Sequence, residues 1–143
     1  MDSRFKEWVY IEGLMQSAYH EAALKMNLSD SEFWILYVFN FHQVGCNQSV
    51  LYKEACLTKS TVNSAIRKME QKDLIYLTPG EGRNTMVFLT EKGHKLMEDT
   101  VYKVIQIENT IYDTWTPEEQ ELFMKLNCDF AEKPVSYTHL TLP

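Results

Sequence analysis

The sequence has few cysteines, no long apolar run and fewer basic than acidic residues, and each of these shortages argues against a class of protein. The three cysteines, Cys46, Cys56 and Cys128, form no CxxC pair and have no histidine at metal-ligand spacing, which argues against a zinc site and fits a reducing compartment. The longest apolar run, 33–39, is far shorter than the roughly 20 residues of a membrane-spanning helix. The first residues, MDSRFKEW, lack a signal-peptide pattern. We therefore expect a cytoplasmic protein with no membrane segment and no metal site.

Patterns of catalytic residues are also missing. The four histidines are scattered, and the sequence contains no HxxxH or HExxH motif. The short GEG at 80–82 lies between two strand-like runs and does not precede a helix, so it is not a phosphate-binding loop. We find no nucleophile, acid–base pair or cofactor loop, and we predict that the chain is not an enzyme and holds no cofactor.

The charge of the chain is unevenly distributed. A net charge of −6 alone argues against a polyanionic partner such as DNA. Residues 47–95, however, hold eight basic and five acidic side chains, so this segment carries +3 and the remainder −9. A basic middle between acidic ends indicates that only the middle meets a negatively charged partner.

Apolar periodicity predicts a mainly helical first part of the chain. Residues 3–26 repeat apolar side chains every three or four positions, as an amphipathic helix requires. Ser29 and Glu32 have the spacing of a capping box, which predicts a second helix over 30–44, apolar nearly all round and central in the core. The glycine that follows ends this helix, and a short helix is expected in 47–57.

The stretch TKSTVNSAIRKMEQKDLIYL, 58–77, combines a thin apolar stripe with a polar face. Val62, Ile66 and Met69 fall at i, i+4 and i+7, with Ala65 beside them, so one narrow face of a helix is apolar. The opposite face consists of hydroxyl, amide and cationic side chains. Such a face suits hydrogen bonding to a partner, although a solvated helix face has the same composition.

A hairpin and two further helices follow. The runs LIYLT and MVFLT flank the turn sequence TPGEGRNT, which predicts a β-hairpin over 74–90. Helical spacing then predicts one helix of about 25 residues up to Trp115. Thr116 and Glu119 form a second capping box, with a proline at the first position of a last helix. The final residues, 136–143, break the pattern and are expected to be a non-native tail.

The order of a helix, a short helix, a polar-faced helix and a hairpin is that of a winged helix-turn-helix. With STVNSAIRKMEQKDLI at 60–75 and GEGRNTMVFLTEKG at 80–93, the sequence resembles the MarR (multiple-antibiotic-resistance regulator) family. The resemblance implies a mainly α (α+β) single domain over 1–135, with the winged helix at about 30–95 and dimerisation helices at about 3–28 and 91–132. The sequence departs from the family pattern at Asp73, where a glycine is usual, and at Glu81, where an aspartate is usual.

The resemblance also implies a set of DNA-contacting residues. In the family the first motif is the recognition helix and the second is the wing, which carries an arginine. A helix fits the major groove, where Arg pairs with guanine, Asn pairs with adenine, and Ser or Thr contacts bases or phosphates. A wing arginine can enter the adjacent minor groove. The candidate DNA-binding residues are Lys59, Ser60, Thr61, Asn63, Ser64, Arg67, Lys68, Arg83 and Asn84.

The implied function is a cytoplasmic homodimeric transcriptional regulator, most simply a repressor, that binds a pseudo-palindromic operator in double-stranded DNA. Regulators of this family bind small aromatic or phenolic effectors, and Tyr19, Trp34 and Tyr37 are the candidate ligand-binding residues, although aromatic core packing is the simpler account of them. The alternative function is a winged-helix module for protein–protein interaction that reads no bases. Salt dependence separates the two, since only DNA binding displaces many counterions.

Overall fold

The computed structural model describes the backbone of residues 2–137 and the side chains of residues 2–132. It divides into two compact units, of which the first ends at Lys103 and the second begins at Val104. The elements in chain order are α1 (Lys6–Lys25), α2 (Asp30–Phe39), β1 (Cys46–Asn47), α3 (Gln48–Glu54), α4 (Lys59–Gln71), β2 (Ile75–Pro79), β3 (Thr85–Leu89), α5 (Glu91–Asp99), α6 (Val101–Asp113) and α7 (Pro117–Tyr137). The predicted winged-helix architecture is confirmed.

Helix α2 forms the centre of the core, as its composition predicts. Its buried side chains include Phe33, Ile35, Leu36 and Phe39, none more than 1% exposed. Half of the predicted capping box is present, because the Glu32 amide donates to the Ser29 hydroxyl over 3.1 Å. The Glu32 carboxylate accepts from that same hydroxyl over 3.1 Å, in place of the Ser29 backbone amide. These bonds fix where α2 begins.

The sheet contains the predicted hairpin and one strand that the sequence analysis missed. Strands β2 and β3 pair antiparallel, with Ile75 opposite Leu89 and Pro79 opposite Thr85. The two-residue strand β1 pairs with the other edge of β3, so the strand order is β1-β3-β2. Because β1 leads directly into α3, this pairing joins the middle of β3 to the helix-turn-helix.

Three helices are followed, two residues after their last residue, by a residue with positive φ. Asn27, Cys56 and Asp73 have φ of 57°, 53° and 59°. After Asp73, the Leu74 amide donates to the Met69 carbonyl over 2.9 Å, which is the long bond of a Schellman motif, and the turns after Asn27 and Cys56 have the same bond. Asp73, at a position where the MarR family usually has a glycine, thus takes the left-handed conformation.

Two predicted helix boundaries are wrong. Helix α2 ends at Phe39 and not near Val44, because the chain tightens into i→i−3 turns and then turns at Gly45, with φ +95°, to enter β1. The single helix of about 25 residues is two helices, α5 and α6, separated at Thr100. The Thr100 hydroxyl donates to the Leu96 carbonyl over 2.6 Å, which is the acceptor that its own amide needs for the helix to continue.

The second unit contains most of α6 and all of α7. The predicted capping box is present, with the Glu119 amide donating to the Thr116 hydroxyl over 3.1 Å and the Thr116 amide donating to the Glu119 carboxylate over 2.9 Å. Helix α7 runs to Tyr137, so the expected tail at 136–143 lies, from residue 138 onward, outside the described residues. Across residues 2–137, no helix has both the length and the apolar character needed to cross a membrane.

Candidate nucleic-acid interface

Helix α4 separates its apolar and polar residues as predicted. Val62, Ala65, Ile66 and Met69 are buried, at 5% exposure or less, and attach the helix to the core. At its start, the Thr58 hydroxyl accepts from the Thr61 amide over 3.2 Å and caps the helix. The buried face thus fixes the rotation of α4, and the opposite face points to solvent.

All nine candidate DNA-contacting residues lie on the surface. Thr61 is half-buried, and the others are exposed: Lys59, Ser60, Asn63, Ser64, Arg67, Lys68, Arg83 and Asn84. Within the described part of the chain, the side chains of Ser64, Arg67 and Lys68 have no hydrogen-bond or ion-pair partner. Their polar groups are therefore available to an external partner.

A shallow polar cleft connects part of this face with the start of α2. It has a volume of about 330 Å³. Its polar lining residues are Ser29 and Ser31 from the start of α2 and Ser60, Thr61, Ser64 and Lys68 from α4. Four of the predicted DNA-contacting residues, Ser60, Thr61, Ser64 and Lys68, thus line the same cleft.

The wing tip presents the other two candidates, Arg83 and Asn84. The loop between β2 and β3 is closed by the Gly80 amide donating to the Asn84 carbonyl over 2.7 Å and by the Asn84 amide donating to the Glu81 carbonyl over 3.2 Å. Gly82 has φ +63°, which favours glycine at the tip. Arg83 is exposed and, among the described side chains, has no ion-pair partner, so Glu81 does not hold it.

Helix α3 makes two contacts to the polar face of α4 that the sequence analysis missed. The side-chain amide of Gln48 donates to Asn63 Oδ1, and the Lys59 ammonium lies 5.3 Å from the centre of the Tyr52 ring. The sequence gives one indication of such contacts, which is that α3 comes immediately before α4 in the chain. Two of the predicted DNA-contacting side chains are therefore positioned by a neighbouring helix.

The candidate ligand residues form a continuous aromatic cluster. The Trp34 ring lies 5.1 Å from that of Tyr19 and 5.3 Å from that of Tyr37, and all three side chains are half-buried. Phe33 lies edge-on to Trp34 at 4.9 Å and joins the cluster to the core. Among residues 2–132, no three His, Cys, Asp or Glu side chains gather closely enough to hold a metal ion.

Comparison with known proteins relates the chain to transcriptional regulators. No protein-family model matches it. It is 30% identical over 84 residues to the transcriptional regulator HosA of Escherichia coli O111:H-, a match that spans 57% of this chain and 62% of HosA. The chain thus matches less than two thirds of that relative.

Solved structures match nearly the whole chain. The MepR–DNA complex of Staphylococcus aureus matches with a TM-score of 0.69 and 24% identity, over 94% of this chain and 99% of MepR. A MarR family regulator from Neisseria meningitidis matches with a TM-score of 0.77 and 18% identity, over 96% and 99%. NadR, solved with 4-hydroxyphenylacetate, matches with a TM-score of 0.71 and 16% identity, over 92% and 94%. The resemblance to the MarR family is confirmed in the fold.

Proposed function

We propose that this chain, which has the fold of the MarR-family regulators, binds a specific DNA operator as a homodimer and represses transcription until a small ligand releases it. The observation that carries this proposal is the outward face of α4, where Ser64, Arg67 and Lys68 are exposed and have no partner within the described chain. A helix attached by four buried side chains can enter the major groove without disturbing the core. The DNA complex of MepR, which shares the fold, supports this use of the fold.

Each group on this face has a counterpart on DNA. The Arg67 guanidinium can donate two parallel hydrogen bonds to guanine O6 and N7, and the Asn63 amide can pair with adenine. The cationic Lys59 and Lys68 and the hydroxyls of α4 suit phosphate oxygens. Arg83 at the wing tip extends recognition to a minor groove, whose negative potential attracts arginine.

The proposed homodimer is supported by apolar surface that one chain leaves exposed. In the first unit, α1 exposes side chains that its apolar stripe predicts to be covered, including Ile11 at 45% and Met15 at 48%. In the second unit, Ile107, Ile111 and Leu122 are each more than half exposed. Exposed apolar surface on this scale is typical of an interface between subunits. A two-fold dimer predicts inverted half-sites about one helical turn apart.

The dimer is tested by sedimentation velocity, which is expected to give twice the 16.8 kDa mass of one chain. Ile111→Asp is expected to shift the protein to monomer without unfolding it, because Ile111 is 54% exposed in the single chain. Val44→Asp is the matched control, since Val44 is 90% exposed on the loop before β1. A wild-type protein that sediments as a monomer at micromolar concentration contradicts the dimer.

The aromatic cluster of Tyr19, Trp34 and Tyr37 is the proposed effector site. Half-buried rings that pack at a tilt, with two phenolic hydroxyls, match the chemistry of an aromatic acid or phenol. NadR supports this class of ligand, since it was solved with 4-hydroxyphenylacetate. In a variant with Trp8→Phe and Trp115→Phe, we expect that compound to quench Trp34 fluorescence saturably. Quenching that rises linearly and never saturates contradicts the site.

DNA recognition is tested by selecting sequences from a random DNA pool. We expect enrichment of two inverted half-sites whose centres are about 10 base pairs apart. The alternative, a winged helix that binds a protein partner through α4, predicts no enriched sequence. The control is the protein with Arg67→Ala and Arg83→Ala together, which is expected to keep its circular dichroism spectrum and to lose the enrichment.

A further inference from the structure

The contact between α3 and α4 includes a bond between two side-chain amides. The Gln48 amide nitrogen, in the first turn of α3, donates to Asn63 Oδ1 on α4. Gln48 is half-buried and Asn63 is exposed, so the bond ties a solvent-facing group of α4 to a side chain that is partly shielded from solvent. We propose that Gln48 is a positioning residue that fixes the Asn63 amide and thereby makes Asn63 select adenine over guanine, an inference that rests on the proposed DNA-binding function.

The hydrogen-bonding capacity of an asparagine amide explains why this bond leaves Asn63 able to read a base. The amide oxygen has two lone pairs, and the amide nitrogen has two donors. Gln48 occupies one lone pair of Asn63 Oδ1. One acceptor site and both donors remain, which is what pairing with the N6 amino group and N7 of adenine requires. Gln48 therefore fixes the orientation of the amide without using the groups that read adenine.

The same bond excludes guanine. Guanine presents two acceptors, N7 and O6, in the major groove. An Asn63 amide held with its oxygen in a fixed place sets that oxygen against guanine O6, and two acceptors repel. Without Gln48, the terminal torsion of asparagine is broad and nearly two-fold, so the amide can turn and donate to guanine instead. The preference for adenine thus depends on a residue that need not touch the base.

Direct reading of a base by Gln48 is the competing explanation, and a double-mutant cycle separates the two. A positioning residue acts only through Asn63, so Gln48→Ala changes nothing further once Asn63→Ala is present. A residue that itself reads a base keeps its effect in the Asn63→Ala background. The readout is the ratio of affinities for adenine and guanine at the position where Asn63→Ala loses its preference.

The experiment compares wild-type protein with Gln48→Ala, Gln48→Glu, Asn63→Ala and the Gln48→Ala/Asn63→Ala double variant on selected operator DNA. Asn63→Ala is expected to lower discrimination about 5- to 150-fold, as for a lost bidentate pair. Gln48→Ala is expected to lower it about 2- to 12-fold, as for an unfixed side chain. Gln48→Glu is expected to lower it further, because a carboxylate accepts from the Asn63 nitrogen and turns the amide. Gln43→Ala is the matched control, since among the described residues the Gln43 side chain bonds to nothing but the Asn40 carbonyl.

A second readout needs no DNA. In the ¹⁵N-labelled full chain, the Asn63 side-chain amide signals are identified by their loss in Asn63→Ala. Gln48→Ala is expected to shift them, and Gln43→Ala is not. Unshifted signals overturn the proposal whatever DNA the protein binds.

The remaining outcomes separate the two hypotheses. A wild-type protein that selects a sequence, with Gln48→Ala selecting it with the same adenine preference, overturns the positioning role alone. A base other than adenine at the Asn63 position also overturns it. A wild-type protein that selects no sequence overturns the proposed DNA recognition, even if the Asn63 signals shift.

Discussion

Gly93 in the first turn of α5 allows that helix to lie directly against the start of β2. A Cβ atom at this position would be 2.0 Å from the Leu74 carbonyl oxygen and 3.1 Å from Leu89 Cδ2. The Leu74 oxygen accepts from the Thr90 amide over 3.0 Å, and the Gly93 amide donates to the Thr90 hydroxyl over 3.0 Å. Because the blocking atom belongs to the backbone, Gly93→Ala must move α5 away from the sheet by about 1 Å or more to reach an ordinary contact.

Three effects together set the expected change in the free energy of unfolding of Gly93→Ala. Overpacking costs about 1–3 kcal/mol. Weakening the buried bond to the Leu74 carbonyl costs about 1–3 kcal/mol. The better helix propensity of alanine offsets about 1 kcal/mol. The free energy of unfolding should therefore fall by about 3 kcal/mol, which lowers the urea midpoint by roughly 1–3 M.

Gly13→Ala is the matched control, because a Cβ at Gly13 in α1 has no atom within 4 Å. This substitution is expected to raise the free energy of unfolding by about 0.5–1 kcal/mol. Urea unfolding followed by far-ultraviolet circular dichroism, at two protein concentrations to separate any effect on a dimer, measures both variants. If Gly93→Ala stabilises the protein as Gly13→Ala does, the packing of α5 against β2 described here is wrong.

Further predictions concern α4, its C-terminal end and the buried thiol. Arg67→Ala should weaken operator binding by about 1–3 kcal/mol without changing the melting temperature, with Arg4→Ala as the matched control; unchanged affinity removes Arg67 from the interface. Val62→Asp places a charge at a position that is 0% exposed and should unfold the domain, so a normal melting curve contradicts the orientation of α4. Asp73→Gly should raise the free energy of unfolding by about 0.5–1 kcal/mol, because φ is 59° there, and a loss of stability contradicts this conformation. Burial, and secondarily the Glu54 carboxylate, raises the pKa of the Cys46 thiol from 9.0 to about 11. The protonated Cys46 thiol therefore stabilises the folded state fully below pH 9, and this stabilisation is lost as the pH rises towards 11. Cys46 should react with a thiol reagent only on unfolding, and fast reaction in the native protein refutes this.

The sequence identified the elements well where periodicity and capping agree. Ser29 caps α2 through the Glu32 amide, and Thr116 with Glu119 forms a full capping box; these bonds are local, so spacing alone predicts them. The buried stripe of α4 was predicted for the same reason, since one helical face can reach the core. These features depend on residues close together in the chain.

The errors occur where a tertiary contact or a single side chain overrides a periodic pattern. The helix breaks at Thr100 because the Thr100 hydroxyl, and not the Thr100 amide, donates to the Leu96 carbonyl. The apolar spacing continues across this break, so periodicity predicts one helix. Strand β1 has two residues and exists only because β3 lies beside it, so no local pattern marks it. The Gln48–Asn63 bond joins residues 15 apart and needed the packing of α3 on α4 to be visible.

The central claim is that α4 and the wing bind a specific DNA sequence. It is tested most directly by fluorescence anisotropy of the purified protein on DNA from upstream of its own gene, titrated across salt with scrambled DNA as competitor. If the protein covers about six to ten phosphates, its affinity should fall about 10³- to 10⁵-fold between 50 and 200 mM salt, and scrambled DNA should fail to displace the operator. Weak binding that is equal on operator and scrambled DNA would contradict the claim and favour a protein partner for α4.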